Sequence, residues 1–491
     1  MERKEKSENH LLKRELKNRH IQMIAFGGVI GTGLFQSIGS TIRTAGPGGA
    51  LIAYAIVGIM VFFIMSGLGE MATHMPVTGS FETYAEKYVD SSFSFATGWN
   101  YWFSWTMTIG AEVVGSSIVM SAWFPQVPTV VWCVFFLALL ISFNLLSAKT
   151  YGETEFWFAG IKVVTVLVFL VIGTLMIFGV FSDQFIGLKN FTIGKAPFVG
   201  GFPSIFYIFL LSGYAFQGEE MLGVTAGESK TPQISIKKAI NSIFFRVLIF
   251  YIGAIFIIGC LLPYTDASLD KSPFTMVFEN AGIPQAALVM NIIVLTAVLS
   301  CGNSGMYCSS RMLYAMAKEG KAPKFLGKAN RSGVPIAATL ITGLVSALCL
   351  LSGLYAADTV YLWLINGSAL CGFITWFGIA LSHYRFRRGY VKQGYQVKDL
   401  KFKSPLFPVG HILTLFVCLI VIFGQGLTYI TENSVDWVSV ISSYLSIPLF
   451  LILLFVHKKI KKTRYVRLSE INYDTSGEDL FSEEVEDAFR R

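Results

Sequence analysis

The chain has 491 residues, of which 53% are hydrophobic and only 14% charged, and its formal net charge at pH 7 is +8. Soluble domains usually carry about 25% charged residues, so this composition excludes an ordinary soluble globular protein. The charges are also clustered, which leaves long apolar stretches between them. We therefore predict a multi-pass membrane protein.

Apolar runs of about 20 residues, the length that crosses a bilayer, recur along the whole chain. They predict an all-α membrane protein with twelve transmembrane helices, at roughly 21–43, 48–71, 98–124, 129–147, 155–181, 202–222, 241–264, 285–314, 335–354, 358–382, 407–431 and 436–457. The polar residues 1–20 show no cleavage site, so the first helix is expected to act as an uncleaved insertion signal. We predict a cytoplasmic segment 1–20, a transmembrane domain 21–457 and a cytoplasmic tail 458–491.

The distribution of basic residues predicts the orientation of these helices. With the N-terminus in the cytoplasm, 34 of the 39 Lys and Arg residues fall in cytoplasmic segments or at the adjoining helix ends, as the positive-inside rule requires. Both termini are then cytoplasmic, and the protein is expected in the cell inner membrane. Contact with anionic membrane lipid accounts for the net positive charge, and no nucleic-acid partner is predicted.

The first predicted helix contains the glycines Gly27, Gly28, Gly31 and Gly33. Each weakens a helix by up to about 1 kcal/mol relative to alanine, which predicts an unwound stretch inside the membrane. Unwound backbone is tolerated there where it lines a cavity or is buried in protein, and the freed amides would face an anion such as a carboxylate. Close helix packing through small residues explains the same spacing, so both interpretations stay open.

Charged residues interrupt three later apolar runs. Glu112 lies in the third predicted helix, Lys162 in the fifth, and Glu219 and Glu220 in the sixth. Each costs roughly 2.5–3.5 kcal/mol at the bilayer centre on insertion scales, so such residues usually face an aqueous path or a partner. Lys162 is the only Lys or Arg expected well inside the hydrocarbon. The alternatives are a structural ion pair or hydrogen bond for Glu112, snorkelling for Lys162, and a cytoplasmic helix end for the two glutamates.

The sixth predicted helix repeats the irregularity of the first. Small residues between Ser212 and Gly218 precede its two carboxylates. Two interrupted segments in corresponding positions of two halves are the best sequence indication of a transporter's substrate site. Because the second segment lies five helices after the first, each half has an odd number of spans, and the halves are predicted to be inverted repeats, at about 21–181 and 202–382.

The rest of the sequence gives no sign of catalysis. The connector that begins at Ala226 is interpreted either as a plain connection or as part of an inner gate. The seven cysteines show no metal-ligand spacing and are expected to be small buried apolar residues. No HExxH, GxSxG or Walker A motif occurs, so we predict no enzymatic activity, no cofactor and no metal site.

Short motifs that match a known family follow one another along the chain. They occupy residues 16–21, 28–35, 45–50, 69–71, 98–102, 214–220, 226–229, 303–307, 310–317, 361–364 and 382–390. With these motifs, the chain from about Leu11 to Ser469 resembles the amino acid–polyamine–organocation (APC) superfamily. Within it, the chain resembles the bacterial amino acid transporter family, and most of all its lysine-transporting members.

The resemblance implies a fold of five-plus-five inverted-repeat helices, with the last two helices, 407–457, peripheral. It implies that a substrate carboxylate binds amides around Ile30, Gly31, Thr32 and Gly33. The substrate amino group would bind backbone carbonyls at the breaks in helices one and six.

Further roles are implied by the same resemblance. Tyr214 falls at the position of an aromatic gate, and Tyr101 and Trp105 match aromatic residues of the lysine pocket. Lys162 falls where proton-coupled members carry a lysine in place of a sodium ion. Glu228 belongs to the connector interpreted as an inner gate.

The carboxylates Glu112, Glu219 and Glu220 are the candidates to match a positively charged substrate side chain. Glu220 inherits the family's glutamate of helix six and, with Lys162, is the candidate for proton coupling. Lysine-transporting members have a neutral residue at the position of Glu219, so its role is not given by the resemblance.

The expected function is import of a basic amino acid, L-lysine first among the candidates, by proton symport through alternating access. Two alternatives are an amino acid exchanger of the same fold and a membrane amino acid sensor. The expected partners are the amino acid, protons and membrane lipid. A regulatory membrane partner for the acidic tail and the oligomeric state are left open.

The orientation can be tested with reporter fusions. A reporter placed before Ile21 or after His457 should report a cytoplasmic location, because basic residues concentrate there. Paired alkaline phosphatase and fluorescent-protein fusions measure this. An active phosphatase at either site would contradict the predicted even number of spans.

Overall fold

The computed structural model describes residues 16–473, with gaps at 36, 78, 181–184, 267–268, 270–272, 281–283 and 425–436. Within the described residues the regular structure is helical, which confirms the predicted all-α fold. The helices are α1 Asn18–Gly27, α2 Thr32–Phe35, α3 Ser37–His74, α4 Phe81–Tyr88, α5 Ser91–Trp123, α6 Thr129–Asn144, α7 Ala148–Ile177, α8 Gly201–Phe216, α9 Met221–Thr225, α10 Pro232–Leu261, α11 Pro273–Asn280, α12 Pro284–Lys318, α13 Ile336–Ser346, α14 Ala357–Lys392, α15 Val409–Gly424, α16 Trp437–Tyr444 and α17 Ser446–Lys461. Most of the predicted acidic tail lies outside the described residues.

Helices of membrane-spanning length are frequent in the described part of the chain. Seven stretches are long and apolar enough to cross a membrane: Ser37–His74, Ala148–Ile177, Pro232–Leu261, Leu288–Lys318, Ile336–Gly353, Ala357–Lys392 and Val440–Lys461. The shorter apolar helices α6 and α15 coincide with two further predicted spans. The remaining predicted spans coincide with α5 and with the interrupted pairs α1–α2 and α8–α9.

The chain turns a corner inside α3, at Gly46. Its φ of 76° is left-handed, a conformation that glycine adopts without the cost a side chain would add. A Cβ atom at this position would collide with the carbonyl oxygen of Pro197. The corner separates the end of the predicted first span, 21–43, from the predicted second span, 48–71.

The two interrupted helices meet at their breaks. Gly218, between α8 and α9, has a φ of 108°, and a Cβ atom there would lie 2.5 Å from the carbonyl oxygen of Gly28. Backbone therefore touches backbone at this point, which only glycine allows. The irregular stretches of the first and sixth predicted helices are therefore in direct contact.

The exposed and buried faces of the bundle are those of a membrane protein. Large apolar side chains such as Val134, Val171 and Phe416 are more than half exposed on α6, α7 and α15. Polar side chains such as Thr32 and Ser368 are buried between helices. Apolar surface outside and polar groups inside suit a hydrocarbon surrounding.

Lys321, three residues after α12, lies among three carboxylates. Its ammonium donates to Glu82 and Glu319 at 2.5 Å each, to Ser94 at 2.9 Å, and to Glu86. One oxygen from each carboxylate lies within 4.8 Å of the others, close enough for a metal ion, but the lysine supplies the positive charge. The cluster fastens α4 to the start of α5 and to the end of α12.

Lys321→Met should destabilise the protein in a pH-dependent way. Burial raises the pKa of Glu82 to about 8, although Lys321 opposes the rise. The folded state thus keeps a proton that the unfolded chain loses, and this contribution to stability is lost as the pH rises through 8. Because Lys321 lowers the pKa of Glu82, its removal raises that pKa further, and at pH 9 the folded protein has to hold a proton or bury an unpaired carboxylate. We expect a melting temperature about 3–5 °C below wild type, with a larger deficit at pH 9 than at pH 6.

Thermal unfolding of the purified protein in detergent measures this deficit. Lys324→Met, which removes an exposed lysine three residues away, is the matched control and should change little. A deficit that is equal at the two pH values would contradict the role assigned to Glu82.

Candidate functional site

The gap between α1 and α2 is stabilised by side chains from other helices. Three buried side chains donate to its carbonyls: Lys162 Nζ to Gly27 at 2.6 Å, Cys301 Sγ to Gly28 at 3.3 Å and Tyr251 OH to Val29 at 3.3 Å. These contacts replace backbone hydrogen bonds that a continuous helix would form. The unwound stretch predicted from the glycine spacing is therefore present, and it is buried in protein.

Glu112, on α5, occupies the amide side of the same gap. Thr32 donates to its carboxylate from the backbone N–H at 3.3 Å and from the hydroxyl at 2.9 Å. The Tyr214 hydroxyl donates to it at 3.2 Å. Three predicted site residues are thus in mutual contact, and the carboxylate that faces the freed amide belongs to the protein itself.

The other residues of the predicted amide site surround this contact. A Cβ atom on Gly31 would lie 2.9 Å from a Glu112 oxygen, and one on Gly33 would lie 2.5 Å from the Cα of Ala215. Ile30 is buried. The glycines permit both the gap and the close packing around it, so the two interpretations left open by the sequence apply together.

The two glutamates of the sixth predicted helix have different partners. Both oxygens of Glu220 accept from the backbone N–H of Gly218 at 3.2 Å, and one accepts from Trp376 Nε1 at 3.2 Å. Glu219 forms a buried ion pair with Arg246 at 2.9 Å. Both carboxylates are buried at the break between α8 and α9.

Lys162 is 1% exposed, which excludes the snorkelling alternative. Sequence analysis missed Glu155, seven residues earlier on α7, where it accepts from Ser300 at 2.6 Å. A Cβ atom on Gly27 would collide with a Glu155 oxygen, so this carboxylate lies beside the same gap. The available sequence signal was the spacing of Glu155 and Lys162 by two helical turns, which places both side chains on one face of α7.

Arg246 is the second site residue that sequence analysis missed. It is 4% exposed and lies on α10 beside both breaks, whereas the count of basic residues assigned it to a cytoplasmic helix end. Arg246 is therefore a second buried base beside the breaks, in addition to Lys162. Arg246 was missed because an arginine at the edge of an apolar run is normally assigned to the cytoplasmic end of a membrane span. Its partner Glu219 lies at the break between α8 and α9, so the sequence does not show the ion pair.

The predicted pocket aromatics lie next to each other on α5. The rings of Tyr101 and Trp105 are 6.3 Å apart, and Tyr101 also contacts Phe81 at 4.7 Å. A Cβ atom on Gly305 would lie 2.5 Å from Trp105, so Trp105 packs directly on α12. Both aromatics are buried.

Glu228, the predicted gate residue, connects three parts of the chain. Its side chain forms a buried ion pair with Arg311 of α12, and its carbonyl accepts from the backbone of Leu16 at 3.1 Å. The backbone of Lys230 donates to Leu16 at 3.0 Å. The connector after α9 is therefore bound to both the N-terminal segment and α12.

The two breaks gather complementary groups in one buried region. Backbone amides and carbonyls, the carboxylates Glu112 and Glu220, and the ammonium of Lys162 all lie there. A ligand carboxylate prefers N–H donors, and a ligand amine prefers carbonyls and carboxylates. The set suits a small ligand that carries both kinds of group.

Comparison with protein families gives one match that spans most of the chain. The family model described as "Amino acid permease" matches residues 20–470. Similar proteins include the "Lysine-specific permease LysP" of Escherichia coli, 50% identical over 94% of this chain and 96% of that protein. The protein of the same name from Lactococcus lactis is 46% identical, over 94% and 92%. The "Histidine permease HisP" of Lactococcus lactis is 42% identical, over 94% and 98%.

Comparison with solved structures shows a shared fold. A mutant form of the manganese transporter of Eremococcus coleocola superposes with a TM-score of 0.57 and covers 90% of this chain and 94% of that one. The sequence identity is 12%, so this likeness concerns the arrangement of the helices alone.

Proposed function

The chain belongs to the amino acid permease family, and on this premise we propose that it imports a basic amino acid, L-lysine first among the candidates, by proton symport through alternating access. As a member of that family it is a multi-pass membrane protein and a transporter rather than an enzyme. The observation that carries the proposal is the meeting of the two helix breaks around Glu112, Glu220 and Lys162. The two lysine-specific permeases at 50% and 46% identity support lysine as the substrate.

The substrate carboxylate would bind the amides from Ile30 to Gly33. In this structure the Thr32 amide donates to Glu112, so a ligand carboxylate would take over a position that a protein carboxylate already fills. The exchange conserves the hydrogen bond of the amide, which limits the cost of opening the gap.

The substrate side chain carries a charge that must be matched away from water. Glu220 accepts only uncharged donors among its contacts described above, so its negative charge is available to a cation. Tyr101 and Trp105, buried on α5, are proposed as the walls along the aliphatic part of the substrate. Glu112 is the second carboxylate within the same region.

Proton coupling is assigned to Lys162, with Glu220 as a second candidate. The Lys162 ammonium bonds to the carbonyl of Gly27, and a neutral amine would hold that carbonyl less strongly. Loss of a proton from Lys162 would therefore favour a different arrangement of the gap between α1 and α2. In this way one proton shifts the balance between two conformations of the transporter. Tyr214 and Glu228 are proposed as gates on the two sides of this region.

Uptake by proteoliposomes tests the function directly. Radiolabelled lysine should accumulate when the outside is more acidic, and a protonophore should abolish accumulation. Unlabelled arginine, ornithine and histidine should compete less well than lysine. Lysine entry that requires an amino acid inside and ignores the pH gradient would instead identify an exchanger.

Lys162→Met should separate binding from coupling. The variant cannot change its charge, so pH-driven accumulation should be lost while part of the lysine binding remains. Accumulation and equilibrium binding on the same preparation measure the two effects. Accumulation near the wild-type level would move the coupling role to Glu112 or Glu220.

Glu220→Gln should reduce lysine affinity by roughly tenfold or more, on the order of 1.4 kcal/mol, because it removes a buried charge that matches the substrate. Equilibrium binding of lysine to the purified protein measures this. Asp358→Asn, which removes an exposed carboxylate on α14, is the control. Unchanged affinity in a folded Glu220→Gln protein would remove this residue from the site.

A further inference from the structure

Arg246 joins α10 to both interrupted helices. It donates to the carbonyl of Ala25 and forms the ion pair with Glu219 at 2.9 Å. Its guanidinium carbon lies 4.9 Å from the ring centre of Phe26. Ala25 belongs to the last turn of α1 and Glu219 to the break between α8 and α9, so one side chain connects the edges of the two breaks.

Tyr251 makes a second connection of the same kind. Its hydroxyl donates to the carbonyl of Val29 at 3.3 Å and to the carbonyl of Ala215 at 2.7 Å. Val29 lies in the first gap, and Ala215 lies in the last turn of α8. Two side chains of α10 therefore each contact both broken helices.

The local geometry of α10 explains how both side chains reach the breaks. In an α-helix of 3.6 residues per turn, residues five apart point about 140° away from each other. Here the segment Val247–Gly253 is a π-helix, whose hydrogen bonds join residues five apart. A π-helix rotates less per residue than an α-helix, so the side chains of Arg246 and Tyr251 point toward the same face of α10. π-Helical turns are frequent at functional sites.

We propose that Arg246 is a positioning residue for transport, and that Glu219 is its counterion rather than a ligand of the transported cation. The proposal rests on the function proposed above. Through Arg246 and Tyr251, α10 fixes the two breaks relative to each other. A conformational change that separates the broken helices has to carry these contacts along or break them. The substrate's positive charge is then left to Glu112 and Glu220.

The test compares Glu219→Gln, Glu219→Asp, Arg246→Gln and the double variant Glu219→Gln/Arg246→Gln. Equilibrium binding of lysine gives the Kd and the number of binding sites. Uptake divided by that number gives turnover per folded protein, which a merely structural role would not change. Tyr251→Phe, which keeps the ring and removes the hydroxyl, is an independent variant of the same connection.

A positioning role predicts a specific pattern. Each of the single variants Glu219→Gln and Arg246→Gln should lower turnover per site by tenfold or more, with the lysine Kd within about threefold of wild type. Turnover per site in the double variant should be higher than in either single variant, because the double variant leaves no buried charge unmatched. Turnover per site in Glu219→Asp should stay within about threefold of wild type. Tyr251→Phe should lower turnover at an unchanged Kd.

Three results would overturn the proposal. A Kd raised tenfold or more in Glu219→Gln, and not restored in the double variant, would make Glu219 a substrate ligand. Normal turnover per site in all variants would remove the positioning role. If the double variant lost turnover by the product of the two single-variant factors, the two residues would act separately. Failure of the proposed function is distinct, because it would appear as wild-type protein that neither binds nor accumulates lysine.

Discussion

The need to satisfy every backbone hydrogen-bonding group is the constraint on which the rest of this structure depends. An unpaired N–H or C=O group in hydrocarbon costs several kcal/mol, yet the chain interrupts two helices inside its bundle. The cost is avoided because side chains of α5, α7, α10 and α12 donate to or accept from the exposed groups. The two helix breaks are thus stabilised by the surrounding helices. The same hydrogen bonds hold those helices in place around the breaks.

Buried charge follows the same logic of matched partners. Glu219 pairs with Arg246, Glu228 with Arg311 and Glu70 with Arg387, because one unmatched charge in the interior costs more than the pair. The carboxylates Glu112 and Glu220 differ, since their contacts described above are with neutral donors. A site that binds a cation needs negative charge of this second kind. The paired carboxylates connect helices of the fold, whereas Glu112 and Glu220 are the carboxylates proposed above for the substrate.

Much of this arrangement could be predicted from the sequence. Hydrophobic run lengths predicted the helices, and the glycines near position 30 and the small residues near 215 predicted both breaks. These signals are local: a run of apolar residues or a cluster of glycines changes the stability of its own segment, whatever surrounds it. Lys162 was identified for the same reason, since a charge within an apolar run is visible without knowledge of its neighbours. The family motifs suggested roles for residues whose function the spacing alone left undecided.

The partners of these groups were decided only by the tertiary structure. Glu219 and Glu220 are adjacent in the sequence, yet one faces Arg246 and the other Trp376. Glu155 shares a helix face with Lys162, but nothing in the sequence shows that this face meets the first break. Arg246 carries no local sign of its place, because it is an ordinary charged residue at the edge of its own apolar run. Ion pairs and carbonyl contacts join atoms from helices far apart in the chain. The sequence determined where the helices break, and the packing of distant helices determined which side chains fill the breaks.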